Sequence, residues 1–152
     1  MRIAVGSDHA GFHLKAAIAE VLSARGIDVV DLGTNDATTS VDYPDFGAAV
    51  GRAVAAGEVD LGVAICGTGI GISIAANKVP GVRAALVHDA TTARLAREHN
   101  HANVLCLGER ITGVQVALDA LSAWLDEPLG EGRHIGRVAK LNHLDDLPRK
   151  AE

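Results

Sequence analysis

Five short apolar runs rich in Val, Ile and Leu recur along this 152-residue chain, at residues 2–6, 27–32, 61–66, 84–88 and 103–107. Between them, apolar residues repeat at helical rather than strand spacing. Leu14, Ala17, Ile18, Val21 and Leu22 line one face of the first intervening segment, and Phe46, Val50, Ala53 and Val54 line the second. Pro44, preset for a helical first turn, opens that second segment, and Gly57 follows it. Residues 72–77 form a third helical segment; Thr92, Leu95, Ala96 and His99 share a face of the fourth, and 116–124 make the fifth. Strands that alternate with helices, and are apolar on both faces, predict a parallel sheet covered on both sides. Right-handed crossovers then select a doubly wound, Rossmann-like α/β sandwich of three layers around five parallel strands. The stretch at 33–43, rich in Thr, Asp and Ser, reads as a surface loop. A last helix from about Arg133 has no strand after it and is free to pack elsewhere, a partner subunit included. One domain over residues 1–152 accommodates all of this.

Composition narrows the partners. The formal charge is −5 and the basic residues form no run, which argues against nucleic acid; aromatics at 3% argue against base-stacking platforms. No segment approaches the roughly 20 apolar residues that span a bilayer, so no membrane partner is expected. The first residues pass from a short apolar run directly to Asp8 and His9, without the apolar core of a secretory leader. Two cysteines, Cys66 and Cys106, are too few for a disulfide framework, and a cytoplasmic location is the expectation.

In an open parallel sheet, ligands sit beyond the carboxyl ends of the strands. Two stretches fall there. Ser7, Asp8 and His9 follow the first strand, and Cys66-Gly67-Thr68-Gly69-Ile70-Gly71 follows the third. Glycines at 67, 69 and 71 allow the backbone to approach a ligand and turn its N–H groups toward it; a tight packing turn is the plain alternative. A dinucleotide loop fits poorly, because that fingerprint belongs after the first strand with Gly-x-Gly-x-x-Gly spacing. Cys66 opens the turn beside a helix N-terminus, where dipole and amide donors favour an anion; most buried cysteines, Cys106 among them, are inert. Asp8 either caps the first helix or serves the site, and Tyr43 either anchors a loop or walls a small ligand. His99 and Asn100 close the fourth helix, where a histidine often only compensates the dipole and an asparagine takes the left-handed cap. No set of Cys, His and carboxylates shows zinc spacing, so neither metal nor cofactor is expected. Arg133 and Arg137 are four apart on one helical face, with His134 between them. In an acidic chain they suit a phosphate dianion, as does Arg110 past the fifth strand; a solvated face is the alternative.

Taken together, these pieces resemble the ribose-5-phosphate isomerase B family, which also includes galactose-6-phosphate and allose-6-phosphate isomerases. The resemblance runs over residues 3 to 137. Its marks are Gly6-Ser7-Asp8-His9-Ala10-Gly11, Asp42-Tyr43-Pro44, Cys66-Gly67-Thr68-Gly69-Ile70-Gly71-Ile72-Ser73, Ala75-Ala76-Asn77-Lys78, Glu98-His99-Asn100 and Gly132-Arg133-His134-x-x-Arg137. The resemblance implies an aldose–ketose isomerase of carbohydrate metabolism, on the pentose phosphate pathway, that needs no cofactor. It implies Cys66 as the base that moves a proton between C2 and C1. The amides of 67–71, Thr68 included, would hold the enediolate oxygen. It implies His99 in ring opening with Asp8 assisting, Asn100 on a hydroxyl, and His9, Arg110, Arg133 and Arg137 on the phosphate. A second branch of the family uses a loop glutamate as base; Ile72 stands at that place here, which matches the cysteine branch.

Chain direction adds one expectation. Cys66 ends a strand, whereas His99 ends a helix running back against the strands. If both serve one sugar, His99 comes from a second subunit, which implies a homodimer with shared sites and leaves higher oligomers open. Two other readings remain open: an isomerase for a different phosphosugar, and a nucleotide-binding α/β module.

Overall fold

The computed structural model describes residues 1–147, so the single domain expected over 1–152 includes five positions, 148–152, that lie outside the described residues. Among the described residues, five strands form one parallel sheet: β1 (Arg2–Ser7), β2 (Asp28–Asp31), β3 (Leu61–Cys66), β4 (Ala84–Leu86) and β5 (Val104–Gly108). Their order across the sheet is β2-β1-β3-β5-β4. Six α-helices accompany them among the described residues: α1 (Phe12–Ala24), α2 (Tyr43–Ala55), α3 (Ile70–Asn77), α4 (Ala90–Asn100), α5 (Val114–Asp126) and α6 (Arg133–His143). Short 3₁₀ turns occupy His9–Gly11 and Leu144–Asp146. Among the described residues no helix is long and apolar enough to cross a membrane.

The two faces of the sheet are packed differently, because side chains alternate along each strand. Ile3, Val5, Leu61, Val63, Ile65, Leu105 and Leu107 point toward α1, α4 and α5, where they meet Leu14, Ile18, Leu22, Ala93, Ala96, Leu121 and Trp124. Burying each large side chain of this kind contributes about 1.5–3 kcal/mol. The other face carries Ala4, Ala64, Cys66 and Cys106 against Val50 and Ala53 of α2 and Ile72 and Ala76 of α3. Small residues there let α2 lie close. A Cβ at Gly62 would come within 2.5 Å of Val50 Cγ1, and one at Gly6 within 2.7 Å of Val50 Cγ2. The site loop after β3 therefore emerges on a tightly packed side.

β4 is a short edge strand, and an edge leaves backbone groups unpaired. The Asn77 side chain covers part of it: its Nδ2 donates to Ala84 O at 2.9 Å and its Oδ1 accepts from Ala84 N–H at 2.9 Å. Tyr43 is the first residue of α2 rather than the end of the preceding loop. Asp42 is extended at φ −89°, ψ 117°, and Pro44 sets the helical turn that follows. At the end of α4 the left-handed residue is His101 (φ 48°), not Asn100, which remains helical.

Candidate active site

Chains that leave a sheet in opposite directions open a crevice between them at their carboxyl ends. β1 and β3 are neighbours, with Ser7 paired to Ile65, and their crossovers depart to opposite sides of the sheet. A cleft of about 200 Å³ lies there, lined by Asp8, His9, Ala10, Tyr43, Cys66, Gly67, Thr68, Gly71 and Arg110.

Backbone geometry aims each of these groups. Asp8, only 6% exposed, accepts the Ala10 and Gly11 amides through Oδ1 at 3.0 and 3.1 Å. It therefore caps the turn after β1, and it also lines the cleft. His9 Nδ1 accepts the Val41 amide at 3.2 Å, so the neutral ring carries its proton on Nε2. Cys66 Sγ accepts the Gly69 amide at 3.1 Å at the start of α3, a donor well suited to an anionic sulfur. Gly69 sits at φ 77°, and a Cβ there would meet Leu86 Cδ1 at 2.5 Å and Leu107 C at 2.8 Å. Only glycine combines that left-handed turn with such close packing. Gly71 is required for another reason: a Cβ would lie 2.6 Å from the Tyr43 ring, which stands against the loop. Ile70 donates its amide to Thr68 Oγ1 at 3.3 Å. Within the loop, then, Gly67, Thr68 and Gly71 face the cleft, while the Gly69 and Ile70 amides are engaged by Cys66 and Thr68. Arg110 reaches the cleft because its amide bonds Gly67 O at 3.0 Å.

Two supports were not legible in the sequence. Glu109 Oε2 accepts the Leu14 amide at 2.8 Å, tying the end of β5 to the start of α1 across 95 residues. Lys15 is buried and bonds Asp31 Oδ1 at 2.6 Å and Thr34 O at 2.8 Å, pinning the chain after β2 beside Ser7. Neither pair has a sequence signal, since both join segments distant along the chain. Cys106 is fully buried; burial, and next the neighbouring Cys66, push its thiol far above the ordinary range, so it stays protonated.

The remaining expected residues gather elsewhere. α4 runs against the strands, and three residues after it ends Asn103 bonds Gly62 and Arg83 at the amino ends of β3 and β4. His99, Asn100, Arg133 and Arg137 accordingly belong to the amino edge and do not line the cleft. The His99 and His134 rings stack there at 4.5 Å with 6° between planes, and His99 Nε2 is 3.7 Å from Glu98 Oε2. Burial chiefly, then His99 and Arg133, hold the His134 pKa below its usual value. Arg83 fastens this end of α4, donating to Asn100 O, to His101 O and to Asn142 Oδ1 of α6. Cations at a helix C-terminus are favoured by its dipole, yet nothing near Arg83 in the sequence marks that role. Glu98, His99 and His134 also form a donor set for a metal that no sequence spacing had suggested. A larger cavity of about 410 Å³ lies at the same edge, beside Arg83, Asn100 and Asn142. Among the described residues it is lined by neither a nucleophile nor an amide-rich turn, so the smaller carboxyl-edge cleft is the better candidate for the chemistry.

Comparison with known proteins identifies the family. Residues 3–141 match the family model described as ribose/galactose isomerase. The chain is 45% identical over 144 residues to ribose-5-phosphate isomerase B of Escherichia coli, covering 95% of this chain and 96% of that one. Its fold superposes on Clostridium thermocellum ribose-5-phosphate isomerase B with a TM-score of 0.94 at 53% identity, covering 96% and 98% of the two chains. The Mycoplasma genitalium ribose-5-phosphate isomerase B, solved with bound ribulose 5-phosphate, gives 0.91 at 42% identity over 95% and 96%.

Proposed function

The chain belongs to the ribose/galactose isomerase family, and we propose that it interconverts ribose 5-phosphate and ribulose 5-phosphate through an enediolate. The observation that carries this reading is Cys66 Sγ, held by the Gly69 amide at 3.1 Å and facing a cleft with Asp8, Thr68 and Arg110. Such an isomerase needs a base for one carbon-bound proton, donors for the developing oxyanion, and a group that opens the sugar ring.

Cys66 as thiolate removes the C2 proton of the open aldose, and the electrons move onto the carbonyl oxygen. The resulting enediolate oxygen is met by amides of the 67–71 turn. The same proton returns to C1, and a proton passes from O2 to O1, leaving the ketose; no electrons enter or leave. Because the amides carry the oxyanion, none of these steps requires a metal. The phosphate lies away from the reacting carbons, so its binding energy positions them. His9 through Nε2 and Arg110 provide that anchor on the cleft side, with Arg133 and Arg137 reaching it from the amino edge of a second subunit.

His99 and Asn100 lie at the other end of the sheet from Cys66, and a six-residue strand spans ~20 Å. Ring opening by the partner's His99, with Asp8 assisting and Asn100 on a hydroxyl, therefore makes the enzyme a homodimer with two shared sites. Cys66→Ala and His99→Asn dimers, each nearly inactive, are mixed and allowed to exchange subunits. The heterodimer carries one doubly defective site and one intact site, so roughly a quarter of wild-type activity returns under random exchange. Heterodimers without activity would place both residues in one chain's site. The substrate is decided by assaying purified protein on ribose, allose and galactose phosphates. Turnover of a hexose phosphate alone overturns the pentose assignment, and a melting shift with NAD or ATP but no phosphosugar overturns the isomerase.

A further inference from the structure

We propose that the last turn of α4 and the first turn of α6 form an inhibitory site for a divalent transition-metal ion, held by Glu98, His99 and His134. One carboxylate and two imidazoles form a donor set suited to Zn²⁺ and its neighbours rather than to Mg²⁺ or Ca²⁺. Their ligand atoms all lie within 4.8 Å of one another, and Glu98 Oε2 is 3.7 Å from His99 Nε2. Donors around tetrahedral zinc are about 3.3 Å apart, as bonds of roughly 2.0–2.1 Å require. Closing the difference takes a rotation of one ring out of the parallel stack, since lone pairs of parallel rings do not converge.

The backbone beneath the donors is already fixed. Gly130 donates its amide to Glu98 O at 2.9 Å, and His101 Nε2 bonds Gly130 O at 2.8 Å. A Cβ at Gly130 would lie 2.3 Å from Glu98 O, so the segment leading into α6 is pressed against the end of α4. His134 Nδ1 is buried without a hydrogen-bond partner among the described residues, so no bond at that nitrogen restrains the ring. Two features oppose a cation. Arg94 engages Glu98 at 3.0 Å, but it is a surface pair of the kind that contributes little. Arg133 and Arg137 repel positive charge, which keeps the metal removable by a chelator. Three protein donors leave an open position, as in zinc sites that exchange ligands.

The inhibition rests on the function proposed above: a metal on His99 ties up the imidazole that ring opening needs. Binding itself does not depend on that reading. The test titrates EDTA-treated full-length protein with Co²⁺, followed by visible absorption, and with Zn²⁺, followed by calorimetry. Wild type and Cys66→Ala are expected to bind one metal ion per chain alike, without the near-ultraviolet band of a cobalt thiolate. Glu98→Gln and His134→Asn are expected to weaken binding by at least about tenfold. Zn²⁺ should lower isomerase turnover in wild type, EDTA should restore it, and EDTA alone should leave it unchanged. Loss of binding in Cys66→Ala with a thiolate band in wild type would move the metal to the cysteine and overturn the proposal. Absence of binding up to about 1 mM metal would overturn it as well. Failure of the isomerase reading looks different: no aldose–ketose turnover in metal-free protein, with the cobalt titration intact.

Discussion

The carboxyl-edge cleft and the amino-edge cluster are built from different materials. Around Cys66 the backbone does the positioning: amides of Ala10, Gly11 and Gly69 hold Asp8 and Cys66, and Gly69 and Gly71 leave no room for a side chain. Around His99 the positioning is done by side chains: Arg83 at the helix end, stacked imidazoles, and arginines on a helix whose one buried residue is Val138. A backbone site is rigid because moving one donor means moving a strand or helix. A side-chain cluster is adjustable, which suits gripping a phosphate or handling a ring oxygen. Sites that combine the two can place a reacting carbon accurately while the rest of the substrate settles.

If this contrast holds, damage at the cleft should cost turnover, and damage to the arginines of the cluster should cost affinity, with His99 the one cluster residue whose loss costs turnover. The largest effect is expected from Cys66→Ala, with turnover falling by about 10²–10⁴-fold as for loss of a general base, and the circular dichroism spectrum unchanged. More than a few per cent of wild-type turnover would remove Cys66 from the mechanism. The same thiol should be the one alkylated in native protein, with substrate protecting it, because Cys66 lines the cleft whereas Cys106 does not and its thiol stays protonated. Peptide mapping of the labelled protein tells the two apart.

Gly69→Ala comes next. Its Cβ would meet Leu86 Cδ1 at 2.5 Å and Leu107 C at 2.8 Å, at φ 77°. We expect a loss of about 1–3 kcal/mol in urea unfolding, with turnover reduced more than KM is raised. A wild-type unfolding midpoint would show that the loop is not the rigid element. Arg133→Ala or Arg137→Ala should mainly raise KM, by the equivalent of about 1–3 kcal/mol for one charged hydrogen bond. Competitive inhibition by inorganic phosphate should weaken in parallel; undiminished inhibition in both variants would place the anion elsewhere.

The smallest effect lies outside both regions and serves as a control. Hydrogen bonds from the Thr39 hydroxyl first, then from Thr38, hold the Asp36 carboxyl well below its usual 3.8. A depressed folded pKa adds stability above the unfolded value, and that stability is lost as pH falls below it. The melting difference between wild type and Asp36→Ala should therefore be present at pH 7 and shrink below about pH 4. Isomerase activity at neutral pH should be the same in both. A difference that persists in acid would mean the turn stabilises by shape rather than by charge.

Much of the fold was legible because its signals are local. The run at 61–66 coincides with β3. Pro44 marked the start of α2 within a residue, and Arg133 the start of α6. The expectation of an asparagine cap at Asn100 failed by one residue. Both residues tolerate left-handed backbone, and His101 gains a bond to Gly130 O by adopting it, a long-range contact with no local trace. For Asp8 the two sequence readings turned out to be compatible, since Oδ1 caps the turn while the residue lines the cleft.

By itself, then, the sequence determined the alternation of strands and helices, the glycine turn that must follow β3, and the residue types able to move a proton or hold a phosphate. Those follow from periodicity, backbone freedom and side-chain chemistry, which act over a few residues. Tertiary structure alone decided that β5 lies between β3 and β4, that Glu109 holds the start of α1, and that His99 meets His134 at the edge opposite Cys66. Each of these joins residues tens of positions apart. The energy that selects them comes from burying whole faces against one another, which no short window of sequence contains.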